Sequence, residues 1–255
     1  MAEDQAAIYA PLGVLKPVCE DVWIVDGPAI GFGPPLLKMD FPTRMTVIRL
    51  RGGRQNEDAL FLHSPVQPTP DLLAAIAALG PVRWIVGPNR IHYWWVDEWQ
   101  AAFPDARSYL APRIREQAAR HRRALPPAAI SLDHAEGWPW DAAIATLPVT
   151  GRYMTEVVFF HRPSHTLVLT DLIENFEPRK LPAWPLRLLA RLGGVLAPDG
   201  SMPRDMRLTY PRRTLHMAVK TMLAWQPERV LLAHGRWHGH DGTAELRRAF
   251  DWLLD

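Results

Sequence analysis

Four short apolar runs in this chain end abruptly on a polar side chain, and this pattern restricts the possible folds most strongly. The runs end at His63, at Asn89 with His92 three residues later, at Asp171 and at His234. Buried strands of α/β proteins have this pattern, and their carboxyl ends meet along one edge of a parallel or mixed sheet. We therefore expect residues that are far apart in sequence to share one site.

Strand-like and helical segments alternate along the chain. In the first half the predicted elements are strands 21–26, 43–51 and 59–62, helix 71–79, strand 82–86, helix 94–103, strand 106–110 and helix 113–123, with a loop over 31–35. In the second half they are strands 142–147, 156–160 and 166–170, helices 184–192 and 212–225, strand 230–233 and helix 243–254. Both halves place a hairpin before a βα unit, which favours an α/β fold with four layers, an αβ/βα sandwich.

Composition limits the class of protein. With 255 residues, of which 48% are hydrophobic, the chain can bury a sizeable core, so we expect a single domain over 1–255 with residues 1–20 as an N-terminal extension. The 29 basic and 27 acidic residues nearly cancel, so the net charge gives no signature of nucleic acid or of an acidic membrane as a partner. A single cysteine excludes an intramolecular disulfide and a cysteine-based zinc site.

The sequence predicts neither export nor a membrane span. Residues 1–5 lack the basic and apolar regions of a secretory signal, so we expect a cytoplasmic protein. The longest apolar segment, 181–196, is interrupted by prolines and arginines and reads as an amphipathic surface helix. Together with the proline-rich segment 178–185 it is expected to form a lid over the strand ends or a homodimer contact.

Four segments carry a resemblance to a known family. They read Ala-Leu-Phe-Leu-His-Ser-Pro from residue 59, Val-Gly-Pro-Asn-Arg-Ile-His-Tyr from residue 86, Leu-Thr-Asp from residue 169 and Ala-His-Gly from residue 233. Their order resembles the strand ends of the metallo-β-lactamase superfamily, over about residues 20–254, and points to a divergent, uncharacterised branch of it. That family's His-x-His-x-Asp-His motif is mostly missing here, since only His92 in this loop ligates metals strongly.

The resemblance implies a mononuclear site with a reduced set of ligands. Asp171 stands where the family has a bridging aspartate and His234 where it has its final histidine, so both are expected to be catalytic. The candidate metal ligands are His92, Asp171, His234, His63 and Glu156, and the candidate substrate pocket is formed by Asn89, Tyr93, Trp94 and Trp95. Imidazole and carboxylate ligands suit one divalent Zn, Fe or Mn ion.

These predictions are compatible with two alternative functions. The first is a metal-dependent hydrolase acting on a small molecule, and the second is a pseudoenzyme that has lost the metal and binds a ligand or a protein partner. A polar residue at a strand end can also simply cap loop amides. No Gly-x-Ser-x-Gly or Gly-Lys-Ser/Thr motif occurs, which argues against serine hydrolases and nucleotide-dependent enzymes. His161 and His165 are expected at the opposite end of the strands, away from the site.

Overall fold

Two β-sheets face each other, and helices cover their outer faces. The computed structural model describes residues 9–32, 39–52, 58–181 and 184–254. The first sheet contains, in spatial order, β1 (Lys16–Cys19), β2 (Val22–Phe32), β3 (Met39–Leu50), β4 (Ala59–His63), β5 (Val82–Gly87), β6 (Arg107–Leu110) and β7 (Ile130–Ser131). The second contains β8 (Ile144–Thr150), β9 (Thr155–His161), β10 (Thr166–Val168) and β11 (Arg229–Leu231), in the spatial order β11-β10-β9-β8.

The strands of each sheet run antiparallel at one end and parallel at the other. In the first sheet β1 to β4 are antiparallel, whereas β4 to β7 are parallel and are joined by crossovers. In the second sheet β8, β9 and β10 are antiparallel, and β11 lies parallel to β10. Both sheets therefore place carboxyl ends of parallel strands at an edge where a site can form.

The helices are short and lie outside the sheets. They are α1 (Pro70–Leu79), α2 (Val96–Ala102), α3 (Ile114–Arg120), α4 (Trp184–Gly193), α5 (Arg204–Arg207), α6 (Arg212–Ala224), α7 (Gly242–Ala249) and α8 (Asp251–Leu254), with a 3₁₀ turn at Pro178–Lys180. Local sequence sets the limits of α1, because Thr69 accepts a hydrogen bond from the Leu72 amide at its start and Gly80 follows its end. None of the helices in the described residues is long and apolar enough to cross a bilayer.

The two largest parts of the core lie one on each face of the second sheet. Along β9, Val157 and Phe159 pack between the two sheets, whereas Val158 and Phe160 point the other way, into the cluster that includes buried residues of α6, α7 and α8. This alternation is what a strand buried on both faces requires. The four-layer αβ/βα sandwich expected from the sequence is thus confirmed.

Several element boundaries differ from the expected ones. The predicted helix 94–103 begins only at Val96, and the predicted closing helix 243–254 is two helices that separate at Phe250. The short strands β1 and β7 were not predicted at all, since runs of four and two residues carry too little alternation. The predicted loop 31–35 is a strand end at residues 31 and 32, and its other residues lie outside the described ones.

Candidate metal centre

The strand ends singled out by the sequence meet at one edge of the sandwich. His63 ends β4 and Asn89 follows β5 in the first sheet, and Asp171 and His234 follow β10 and β11 of the second. A hydrogen bond of 2.8 Å from the Val157 amide to the Pro88 carbonyl joins the two sheets at this edge. The site is therefore built across both sheets.

Three buried side chains direct ligand atoms toward one another there. Nε2 of His92 lies 3.1 Å from Nε2 of His234 and 3.3 Å from Oδ2 of Asp171, and Nε2 of His234 lies 3.2 Å from Oδ1 of Asp171. The three residues are only 7%, 3% and 4% exposed for His92, Asp171 and His234. Among the described residues they form the group that could hold a metal ion.

The other nitrogen of each imidazole has a partner that fixes the ring. Nδ1 of His234 donates to the Pro42 carbonyl at 2.9 Å, and Nδ1 of His92 pairs with the Ser64 hydroxyl at 2.8 Å. A carbonyl oxygen only accepts, so Nδ1 of His234 carries a proton, which leaves Nε2 as the nitrogen that can face a metal ion. Metal-binding histidines are commonly held in this way by a partner on the second ring nitrogen.

The spacing of the three ligand atoms fits a small divalent cation. Nε2 of His92 and Nε2 of His234 are 3.1 Å apart, and each lies 3.2–3.3 Å from a different oxygen of Asp171, values close to the edge of a tetrahedron, which is about 3.3–3.4 Å for metal–ligand distances of about 2.0–2.1 Å. Three protein ligands leave the fourth tetrahedral position open, the arrangement typical of catalytic zinc sites. The donor set therefore fits the metal that the fold implies.

Asn89 holds Asp171 in place and does not face outward. Its Nδ2 donates to Oδ2 of Asp171 and, at 2.8 Å, to Oγ1 of Thr170, while its Oδ1 accepts from the amides of Ile91 and His92 at 2.8 and 3.0 Å. The same side chain therefore shapes the loop that carries His92 and orients the carboxylate of Asp171. Burial alone raises the pKa of Asp171, but the imidazoles of His92 and His234 outweigh it and hold this pKa below its usual range.

Glu156 lies at the same edge but turns to backbone amides. Its Oε1 accepts from the Thr170 amide at 2.7 Å, and its Oε2 accepts from the amides of Asp171 and Leu172 at 2.9 and 3.1 Å. Burial and the nearby Asp171 carboxylate raise the pKa of Glu156 to about 8, although hydrogen bonds from Thr170 and Asp171 oppose this shift. In the structure Glu156 fixes the loop that presents Asp171, and it is not part of the group of three ligand residues.

His63 is fully enclosed beside the site. Burial, assisted by the neighbouring His92, lowers the pKa of His63 to about 3, so its ring is neutral near pH 7. Its Nε2 finds no hydrogen-bond partner among the described residues, and its ring meets Phe159 edge-on at 5.5 Å. The structure brings His63 close to the three ligand residues but not into their group.

The aromatic residues expected to line a substrate pocket contact one another, neighbouring side chains of the α3 region and the core. Tyr93 stacks on Trp94 with ring centroids 5.5 Å apart, and Trp94 also meets His121 and the guanidinium of Arg123. Tyr93 is buried, and Trp95 packs against the core between the sheets. In the structure these side chains pack the start of α2, and their role in a substrate pocket stays a prediction.

Other residues of the site were not singled out by the sequence. Phe41 meets the His234 ring edge-on at 5.4 Å, and Phe176 stacks on its face at 6.3 Å. Burial raises the pKa of Glu174, a carboxyl in the loop after Asp171, to about 8, although His234 opposes this shift. Only the position of these residues next to predicted strand ends could have indicated them.

A buried arginine supports the loop that carries His234. Arg44 donates to Oδ1 of Asp26 at 2.8 Å, and its Nη1 donates to the carbonyls of Leu232 and Gly235 at 2.7 and 2.9 Å. Gly235 has a φ of 88°, and a Cβ there would lie 2.1 Å from the Asn175 carbonyl oxygen, so only glycine fits. The two hydrogen bonds from Nη1 connect the first sheet to the turn that follows β11.

The two-sheet sandwich and its His/Asp cluster at one edge define a metallo-β-lactamase-fold protein, as solved structures show. Residues 20–187 match the family described as "Domain of unknown function (DUF4336)", and the chain belongs to that family. It is thus a divergent branch of the fold, in agreement with the resemblance found in the sequence. The comparison with curated proteins gave no match.

Three solved structures illustrate the likeness. A metallo-β-lactamase from Pontibacter korlensis is 14% identical, with a TM-score of 0.58 over 95% of this chain and 99% of that one. One from Hirschia baltica is 12% identical, with a TM-score of 0.59 over 94% and 97%. The enzyme FIM-1 from Pseudomonas aeruginosa, in its mono-zinc form, is 12% identical, with a TM-score of 0.57 over 95% and 96%. At such identities the likeness establishes the fold alone.

Proposed function

We propose that the protein is a metal-dependent hydrolase that acts on a small molecule with a single divalent cation held by His92, Asp171 and His234. The observation that carries the proposal is the convergence of three buried side chains, whose imidazole nitrogens and carboxylate oxygens approach one another to 3.1–3.3 Å, with both imidazoles fixed through their other nitrogen. The mono-zinc form of FIM-1 shows that one member of the fold is found with one metal ion. Zinc, iron and manganese all suit this set of ligands.

The residues of the chain prepare the site in separate ways. A bound divalent cation acts as a Lewis acid on a substrate oxygen and makes water more acidic. The Pro42 carbonyl and the Ser64 hydroxyl hold the two imidazoles in position, while Asn89 and Glu156 fix the side chain and the backbone of Asp171. Because these partners hold the ligand atoms in place, the site is preorganised for its cation.

Asn89 favours one cation over two. Its Nδ2 already donates to Oδ2 of Asp171, which takes up one of the lone pairs that a bridge to a second ion would need. Glu156, the other acidic side chain nearby, is engaged by three backbone amides. The reduced set of ligands is thus matched by local hydrogen bonds that replace further metal contacts.

A metal-free binding protein is the second candidate, and one observation favours it. If the Ser64 hydroxyl donates to Nδ1 of His92, then Nε2 of His92 carries a proton and can donate to His234 at 3.1 Å or to Asp171 at 3.3 Å. The three side chains of the cluster then hydrogen-bond to one another without a metal ion. In that case the protein keeps the fold and binds a ligand or a partner without hydrolysing it.

Elemental analysis of untagged protein, purified without chelators, separates the two functions. We expect about one metal ion per chain, the loading of a three-ligand site with one open position. His234→Gln and Asp171→Asn should lose the metal, whereas the control His165→Gln, an exposed histidine at the far end of β10, should keep it. Unchanged metal content in both site variants would contradict the assignment of ligands.

Hydrolysis is then measured with a panel of activated esters, thioesters and phosphodiesters. Native, metal-stripped and metal-restored protein are compared on the same panel. Activity that disappears on stripping and returns with the metal supports the hydrolase. Stoichiometric metal without metal-dependent turnover on any class would contradict it, and metal-free native protein would favour the binding protein.

A further inference from the structure

Helix α4 turns its larger apolar face away from the protein. Trp184, Leu188, Leu189 and Leu192 are 73%, 48%, 53% and 59% exposed, whereas Ala190 is buried. The four exposed side chains fall on one side of the helix, because residues four apart lie above one another. A surface helix normally buries such a stripe, so this face requires a partner.

The apolar face of α4 has a basic border. Arg187 and Arg191 are one turn apart on the same helix, and both are exposed. Arg187 donates to the Leu181 carbonyl at 2.9 Å, and within the described part of the chain it forms no ion pair with a carboxylate. Residues 178–193 contain four basic residues and no acidic ones. The net charge of this segment is thus strongly positive, although the charges of the whole chain nearly cancel.

An anionic lipid surface matches this combination better than a second copy of the chain does. Exposed leucines and a tryptophan beside arginines are the composition of helices that lie in the headgroup region of a bilayer. A two-fold dimer through α4 would place the same basic border against itself, which like charges disfavour. We propose that α4 docks the protein on anionic membrane surfaces, with its axis in the plane of the bilayer.

The docking helix lies next to the candidate metal centre. Ala190 on its inner side belongs to one hydrophobic cluster with Phe176, Leu181 and Val195. The ring of Phe176 stacks in turn on the imidazole of His234. A protein docked through α4 therefore holds this edge of the sandwich near the membrane, and the docking itself is independent of the metal assignment.

Sedimentation with vesicles tests the proposal. The full chain is mixed with vesicles of phosphatidylcholine alone or of equimolar phosphatidylcholine and phosphatidylglycerol, with EDTA present so that free cations cannot bridge protein and lipid. We expect binding to the anionic vesicles that weakens with salt. Arg187→Gln with Arg191→Gln should weaken it roughly 30-fold, since each basic residue at an anionic surface contributes about a factor of five.

Leu188→Gln with Leu192→Gln should weaken binding roughly tenfold or more, through loss of buried apolar area. The matched control is Met217→Gln on α6, since Met217 and Leu192 are 58% and 59% exposed. Equal binding to both kinds of vesicle, no binding to either, or an equal effect of Met217→Gln would overturn the proposal. So would a dimer, seen by light scattering, that Leu188→Gln with Leu192→Gln converts to a monomer.

Discussion

The carboxylate of Glu156 accepts a hydrogen bond from the backbone amide of Asp171 at 2.9 Å, and it also binds the amides on either side. A side chain from the start of β9 thus fixes the loop that presents a candidate metal ligand after β10. The contact places Glu156 in a supporting position behind Asp171. Several consequences of this arrangement can be measured.

Glu156→Gln should weaken metal binding by about 10–100-fold, the usual effect of removing a residue that supports a ligand. The amide nitrogen of glutamine cannot accept a hydrogen bond, so at least one of the three amides loses its partner and the Asp171 loop shifts. Metal affinity is measured by competition with a chromophoric chelator. Glu98→Gln on α2, an exposed position, serves as the control and should bind as wild type. Wild-type metal affinity in Glu156→Gln would show that the loop with Asp171 keeps its conformation without Glu156.

Metal binding should stabilise the native protein. A cation at about 100 times its dissociation constant adds about 2.7 kcal/mol to the free energy of unfolding. For a chain of this size the melting temperature rises by roughly 5–10 °C. His92→Gln should abolish the rise, because it removes one of the three ligand atoms. Scanning calorimetry with and without Zn, Mn or Fe(II) provides the measurement, and equal shifts in both proteins would refute a role for His92.

The sequence predicted the fold well because apolar runs that stop abruptly at polar residues mark the ends of its strands. Apolar runs that stop at His63, Asp171 and His234 required an edge where these ends meet, and the structure shows that edge. The limits of helix α1 could also be predicted from the sequence, since Thr69 and Gly80 mark its ends. The edge strands β1 and β7 were missed because they are too short for a pattern to develop.

The site was harder to read because side-chain direction depends on register. The sequence places His63 and Ser64 side by side at one strand end, and it is Ser64, with a φ of 54°, that contacts His92. Nothing in the sequence shows that Ser64 adopts this conformation. The pairing of Asp26 with Arg44 likewise follows from the register of β2 and β3, which only the three-dimensional structure gives.

The Asn89→Asp variant should be less stable than wild type without metal, and metal should stabilise this variant more than it stabilises wild type. The substitution keeps the oxygen that accepts from Ile91 and His92 but replaces the donor facing Asp171 with a second carboxylate oxygen. We expect a loss of about 1–3 kcal/mol in chelator, the usual cost of a buried polar contact turned unfavourable. A bound cation offsets the repulsion, so metal should restore much of the loss. Urea unfolding in chelator and in metal measures both, and an identical loss in the two conditions would contradict this account.

Arg44→Met should cost about 1.5–3 kcal/mol of stability, because the buried Asp26 carboxylate loses one of its two charged partners among the described residues and keeps only Lys16. It also removes the donor to the carbonyls of Leu232 and Gly235, so metal affinity should fall as well. Arg49→Met on the same strand is the control, since its pair with Asp21 is partly exposed and should contribute no more than about 1 kcal/mol. Chemical unfolding compares the two variants, and equal losses would show that the buried pair has no special role.

His161 should make the protein sensitive to mild acid at the end of the strands opposite the site. Burial lowers the pKa of its imidazole from 6.5 to about 4, and its Nδ1 pairs with the Ser164 hydroxyl at 2.7 Å. The unfolded chain therefore binds a proton more readily than the folded one between these two pH values. The contribution of His161 to the free energy of unfolding is therefore highest above about pH 6.5, where the imidazole is neutral in both states, and it decreases as the pH falls toward 4.

His161→Gln keeps a polar side chain but removes the titration. It should thus lose less stability than wild type when urea unfolding is repeated at pH 7 and at pH 4.5. His165→Gln, an exposed histidine on the same turn, should behave as wild type. A wild-type acid response in His161→Gln would place the sensitivity elsewhere, with the buried His63, whose pKa burial lowers to about 3, as the next residue to test.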